Sequence, residues 1–191
     1  MARTRVANNK VATSTVTLGS GDLYIMDFTG ELPADSVIEV VDNKIGSIKG
    51  GAELEYKPES YTVTGDNGRT YKAFITKEEV TFKSGVLTWN LEVLAKLTMG
   101  GELTTGTNKE EQQVKILNIG KNGSSAIKQV VIRFVHALDA EKKIRVTLIG
   151  SPTSGFTLSF NPEEETVIDA EFTAISQEDG TLVKIETPED M

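Results

Sequence analysis

The sequence predicts an antiparallel all-β protein, a β-sandwich or barrel-like domain with one flanking α-helix. Three observations carry this. Apolar residues alternate with Thr, Ser, Lys and Glu at a period of two over much of the chain. Clusters of Gly, Asn and Asp punctuate those runs, as hairpin turns require. A 3.6-residue apolar stripe occurs in one stretch. The length of 191 residues (20.7 kDa) suits one large domain able to bury its own core.

Taken in order, residues 1–20 form a basic arm, with Arg3, Arg5 and Lys10 and no acid. The arm is rich in Asn, Thr and Ser, so it is expected to be flexible alone and able to pair as an extended strand. Residues 21–187 then make a single domain. Leu23-Tyr24-Ile25-Met26 is a short apolar run, and Ala52-Glu53-Leu54-Glu55-Tyr56-Lys57 alternates as a half-buried strand does. Tyr61-Thr62-Val63-Thr64 and Thr70-Tyr71-Lys72-Ala73-Phe74 flank the turn Gly65-Asp66-Asn67-Gly68, a long hairpin excursion. From Ser84 to about residue 99, Leu87, Leu91, Leu94, Ala95 and Thr98 follow the helical stripe. Ser84 is placed to cap its start, Gly100 to end its last turn, and Trp89 to sit near the contact with the sheet. Alternation returns in Ile144 to Leu148, Phe156 to Phe160 and Ile168 to Ala174. Turns are expected at Asp42-Asn43, residues 121–123, residues 139–142, Ser151-Pro152 and Glu178-Asp179-Gly180, and residues 188–191 form an acidic tail.

Composition excludes several functions. The formal net charge of −8 and pI near 4.8 argue against a protein whose main task is to wrap nucleic acid phosphates. With no Cys there is no disulfide framework, thiolate metal site or cysteine nucleophile, and the lone His136 is too little for most metal chemistry. No nucleophile elbow, phosphate-cradling glycine loop or HExxH occurs, so the chain is read as a non-enzyme without cofactor or metal. His136, alternating with Ile132, Phe134 and Leu138, reads as a satisfied histidine near a strand end. Consecutive Glu163-Glu164-Glu165 point to alternate faces of any strand and so read as a solvated turn. Asp66-Asn67-Gly68 lacks the bidentate Glu of a calcium loop, Phe74 standing in its place. No apolar segment follows the N-terminal arginines and no run is long enough to span a bilayer, so neither secretion nor membrane insertion is expected. Charge is also unevenly spread, with ten acids against one base, Lys184, from residue 160 onward.

Gly21-Asp22-Leu23-Tyr24-Ile25-Met26-Asp27-Phe28-Thr29-Gly30 followed by Ile45 to Pro58 resembles the major tail tube proteins of tailed bacteriophages of Gram-positive hosts. Lys83 to Asn90, Ile132 to His136 and Glu165 to Phe172 extend the likeness in the same order over residues 21–186. The resemblance implies a structural virion protein with the tail-tube fold. Its copies form hexameric rings that stack into a hollow tube, a conduit for phage DNA. Assembly would take place in the host cytoplasm, and the virion tail would be the final location. It implies as partners further copies of the chain, a tape-measure protein, a tail terminator, baseplate or tail-tip proteins and, in contractile tails, a sheath protein; DNA passes without specific binding. A phage-tail-like bacteriocin would use the same tube. A carbohydrate- or surface-binding β-sandwich is the alternative from another class, and the 6% aromatic content speaks against it.

Three groups of residues follow as candidates. Asp169 and Glu171 share the outward face of their strand, opposite Ile168, Ala170 and Phe172, and suit a hydrated, DNA-repelling lumen. Asp66, Asn67, Arg69 and Tyr71 belong to the hairpin that the resemblance brings against the adjacent ring. Arg3, Arg5 and Lys10 mark the arm.

Overall fold

In the computed structural model the described residues are 21–66, 68–87, 90–120, 127–138, 142–153, 155–158, 160 and 165–189, Tyr71 by its backbone only. The arm with Arg3, Arg5 and Lys10, together with Asn67, Trp89, Glu163 and Glu164, lies outside them, as do residues 121–123 and 139–141.

The described chain is mostly antiparallel β with two short helices. It runs β1 (Asp22–Asp27), α1 (Asp35–Ile38), β2 (Ile48–Thr64), β3 (Thr70–Val86), α2 (Leu91–Lys96), β4 (Glu102–Thr107), β5 (Gln113–Asn118), β6 (Val130–Ala137), β7 (Lys143–Pro152), β8 (Ile168–Ala174) and β9 (Val183–Glu186). A 3₁₀ turn, Val41–Asn43, follows α1. The main sheet has the order β1-β6-β7-β8-β3-β2, and β4 and β5 form a separate hairpin.

The main sheet folds over on itself at β7. Residues Arg145 to Leu148 of that strand pair with β9, whereas Gly150 to Pro152 pair with β8, so its second edge is shared between two directions. Phe82 on β3 and Phe134 on β6 stand three strands apart in the order, roughly 14 Å in a flat sheet at ~4.8 Å per strand. Their ring centroids are nevertheless 6.0 Å apart, which only facing halves allow. Between the halves lies the main core, including Leu23, Ile25, Phe82, Val86, Ile132, Leu148, Ile168 and Phe172. Val93 and Leu94 of α2, with Leu97 just beyond it and Leu117 of β5, cover that core further, so the expected flanking helix is present.

The helix is shorter than its stripe suggested, and Ser84 does not cap it. Ser84 is in β3, paired with Ala52 and Ala170, and its hydroxyl donates to the Gly51 carbonyl at 3.2 Å. The cap is Asn90, whose side chain accepts from the Val93 N–H at 2.9 Å. At the other end the Thr98 hydroxyl donates to the Ala95 carbonyl and accepts from the Gly101 N–H, a closure that Gly100 was expected to provide. Residues 155–158 form no strand; Phe156 and Leu158 pack on the core while Phe160 is exposed, so the three do not share a buried face. Ser151-Pro152 closes β7 instead of turning, and Asp42-Asn43 belongs to the 3₁₀ turn. A second helix, α1, was not expected.

Gly50 and Gly51 sit at φ +82° and +81° in a bulge between Lys49 and Ala52, a backbone that L side chains avoid. Gly85 lies opposite, where a Cβ would come within 2.5 Å of the Lys49 carbonyl oxygen.

Candidate assembly surfaces

β2 and β3 are each 17 residues long, yet β3 pairs with β8 only from Thr81 to Val86. Beyond that, the strands leave the body as a two-stranded ribbon closed by the turn at Gly65 to Arg69, where the Gly68 N–H donates to Gly65 and the Gly65 N–H donates to Arg69. Asp66 and Arg69 stand at this tip, and Tyr71 lies in β3 one residue past the first pair of the ladder. Two-stranded ribbons are marginal in water, and among the described residues no strand pairs with either edge of this one beyond Thr81.

The ribbon's apolar side chains have no core to enter. Tyr61 pairs directly with Phe74 and Val63 with Lys72, so by alternation Tyr61, Val63, Phe74 and Lys72 share one face. Tyr61 is 62% exposed, with Val63 and Phe74 also exposed, and the Lys72 ammonium sits 4.8 Å from the Phe74 ring centroid. Ile75 is exposed on the opposite face.

The same face continues down the sheet as a charged surface. Glu53, Lys83 and Glu171 are consecutive partners across β2, β3 and β8, and Asp169 stands beside Gly85. Asp169 is exposed, and both carboxylates point away from Ile168, Ala170 and Phe172, on the outward face their alternation indicated. Glu171 has a cationic neighbour that the strand's own sequence does not show, Lys83 Nζ at 3.5 Å. The two carboxylates therefore line a shallow cleft of about 420 Å³ with Lys49, Glu53 and Lys83, and like-charge repulsion within one copy is partly relieved. Lys49 at its rim pairs with Glu165.

On the opposite side of the molecule is a polar network that sequence reasoning missed. Arg133 is on β6 and 1% exposed, and its Nη1 donates to Asp35 Oδ1 at 2.8 Å and Glu39 Oε1 at 3.2 Å. Arg145 on β7 donates Nε to Glu39 Oε1 at 2.5 Å, and Lys143 Nζ lies 3.5 Å from Glu39 Oε2. The hydrogen bond from Arg133 holds the Asp35 carboxyl below its ordinary range, despite some burial. Burial works to raise Glu39, but the Arg145 hydrogen bond and the charges of Arg145, Lys143 and Arg133 outweigh it and lower it too. The network seals a small second core in which Ile38 packs with Val131 and Ile149.

His136 is buried near the end of β6. Among the described residues, no group of three or more His, Asp or Glu is placed to hold a metal ion, and no helix is long and apolar enough to cross a membrane. No protein-family model matches the chain, and no curated protein matches it.

Proposed function

We propose that this chain is a structural subunit that polymerises as stacked hexameric rings into a hollow tube of a phage tail, serving as the conduit for phage DNA. The observation that carries the reading is the ribbon: a long, open-edged β-hairpin that exposes Tyr61, Val63, Phe74 and Ile75 gains stability only when another surface covers it. Its bases for association are apolar burial and strand addition, the two means by which open sheets build assemblies. The exposed carboxylates Asp169 and Glu171 suit a hydrated bore, because a wall that does not neutralise phosphates does not retain the strand passing it. The resemblance over residues 21–186 gives the reading its family, and with it the tape-measure, terminator, tail-tip and sheath partners; a bacteriocin tube would share the same subunit chemistry.

Negative-stain microscopy of the purified chain over a concentration series tests this. Hollow tubes of uniform width that lengthen with concentration are expected. A chain that stays monomeric at every concentration, or that binds immobilised glycans as a monomer, overturns it.

A further inference from the structure

The segment from α1 to the 3₁₀ turn is built inside out. Asp35 and Glu39 reach the arginines, and Ile38 is buried, whereas Val37, Val40 and Val41 face solvent, Val41 at 85% exposure. The Asn43 side-chain amide donates to the Val37 and Ile38 carbonyls at 3.0 and 3.2 Å, tying the turn that carries Val40 and Val41 back onto α1. Leu32, also exposed, carries the apolar surface to a cleft of about 440 Å³ formed with Phe28, Ile149 and Ile175. The rim is acidic, for Glu31 and Asp42 are both exposed.

The ribbon presents the converse: Tyr61, Val63 and Phe74 on one face, with the Lys72 cation over the Phe74 ring. Among the described residues the two surfaces of one chain do not cover each other: both are exposed, α1 and the 3₁₀ turn pack beside β1, and the ribbon extends beyond the last β3–β8 pair at Thr81. The geometry points to a contact between copies, in which the Tyr61/Val63/Phe74 face of one chain's ribbon seats on the Leu32/Val37/Val40/Val41 patch of the next, Lys72 approaching Glu31 and Asp42. The inference rests on the assembly reading and names the receiving surface. The contact is heterologous, using different surfaces on the two copies, so it propagates in one direction along an assembly. Hiding valines behind a second copy also explains why this segment turns Asp35 and Glu39 toward the arginines and leaves its valines in solvent.

Because the chain has no cysteine, engineered thiols report the contact without background. A Val41→Cys chain and a Val63→Cys chain, both changed at exposed sites, are mixed under mild oxidant and examined by denaturing gel and microscopy. The expected result is a mixed disulfide dimer, with little crosslinking of either chain alone, and a drop in self-association of about tenfold or more for Tyr61→Ser or Val41→Asp. Tubes without the mixed dimer overturn the contact and leave the tube reading standing. A mixed dimer without tubes supports the contact and removes the tube reading; absence of both overturns both. Val63→Cys dimers in its own chain alone assign the ribbon to a ribbon, and crosslinking of Val41→Cys to a Val11→Cys chain in place of Val63→Cys assigns the patch to the N-terminal arm. Either result overturns the proposal.

Discussion

Arg133 and Asp35 stand 98 residues apart in the chain and 2.8 Å apart in the fold, joining the middle of β6 to the first residue of α1. A guanidinium so deeply buried is tolerable only while carboxylates offset its desolvation, and Glu39 supplies the second. Replacing Glu39 with Gln is expected to cost about 2–3 kcal/mol, because among the described residues Arg133 then keeps one carboxylate partner, Asp35, which is half exposed. Arg133→Met is expected to cost less, about 1 kcal/mol, since it removes the buried charge along with its partner's attraction. Urea denaturation measures both, and the reverse order would show that the network contributes little.

The same network sets a pH dependence. Asp35 and Glu39 both have carboxyls lowered in the folded state, so their stabilisation is complete above the ordinary carboxylate range near pH 4 and is lost as pH falls through the still lower folded values. The groups facing them are Arg133, Lys143, Arg145 and Lys184, with Tyr24 near Glu39. Denaturant midpoints from pH 7 to pH 3 are therefore expected to fall more for the wild type than for an Asp35→Asn/Glu39→Gln chain. Parallel curves would place the acid sensitivity elsewhere.

Why one part of this fold could be read and another could not comes down to range. β8 was legible to the residue, from Ile168 to Ala174, because its two faces differ in polarity and its pattern is complete within seven positions. Both strands of the ribbon showed the same alternation beside a Gly-Asp-Asn-Gly turn. The helix start was misread because Leu87 happens to fall on the stripe of Leu91 and Leu94, and a serine before it resembles a cap; pairing of Ser84 with Ala52 and Ala170, 32 and 86 residues away, decided otherwise. Arg133 gave no local signal at all. Alternation directs it away from Ile132 and Phe134, but the outward face at that point is roofed by α1, whose only sequence trace is the acidic pair Asp35 and Glu39 one helical turn apart.

Changing Arg69 and Tyr71 to Ala is expected to lower polymerisation and leave the melting temperature of the monomer unchanged. The ribbon leaves the body before these positions, and the buried core residues lie elsewhere. Light scattering of assembly and thermal unfolding of the dilute chain separate the two effects. A lower melting temperature with normal assembly would make the ribbon a folding element.

Deleting residues 1–20 is expected to spare folding and impair assembly. Strand β1 begins at Asp22, and its pairing with β6 is complete from Asp22 to Asp27 without the arm. The arm's three bases stand against a chain that is otherwise acidic, so in an assembly a neighbouring copy would attract it. Circular dichroism and sedimentation of the truncated chain measure the two properties. Tubes of normal yield would show that the arm is dispensable.

The last expectation concerns the outward face of β8. Asp169 and Glu171 are exposed or half-buried, and their removal costs the fold little: Glu171 loses its pairing with Lys83, a surface contact worth about 0–1 kcal/mol. Changing both to Lys is a larger step electrostatically than structurally. It reverses two charges per copy and places the new Lys at 171 beside Lys83, so sixfold repetition would turn a repelling wall into a dense set of phosphate partners. If this face lines the bore, double-Lys tubes are expected to assemble and to retain double-stranded DNA at low salt, with retention falling steeply as salt rises; virions carrying them are expected to eject slowly. The wild type is expected to show neither effect. Dye exclusion separates DNA held inside the tube from DNA bound along the outer wall, which is where the same lysines would hold it if the face pointed outward. Ejection at the wild-type rate at low and moderate salt, with DNA found only on the outside, would remove Asp169 and Glu171 from the lumen.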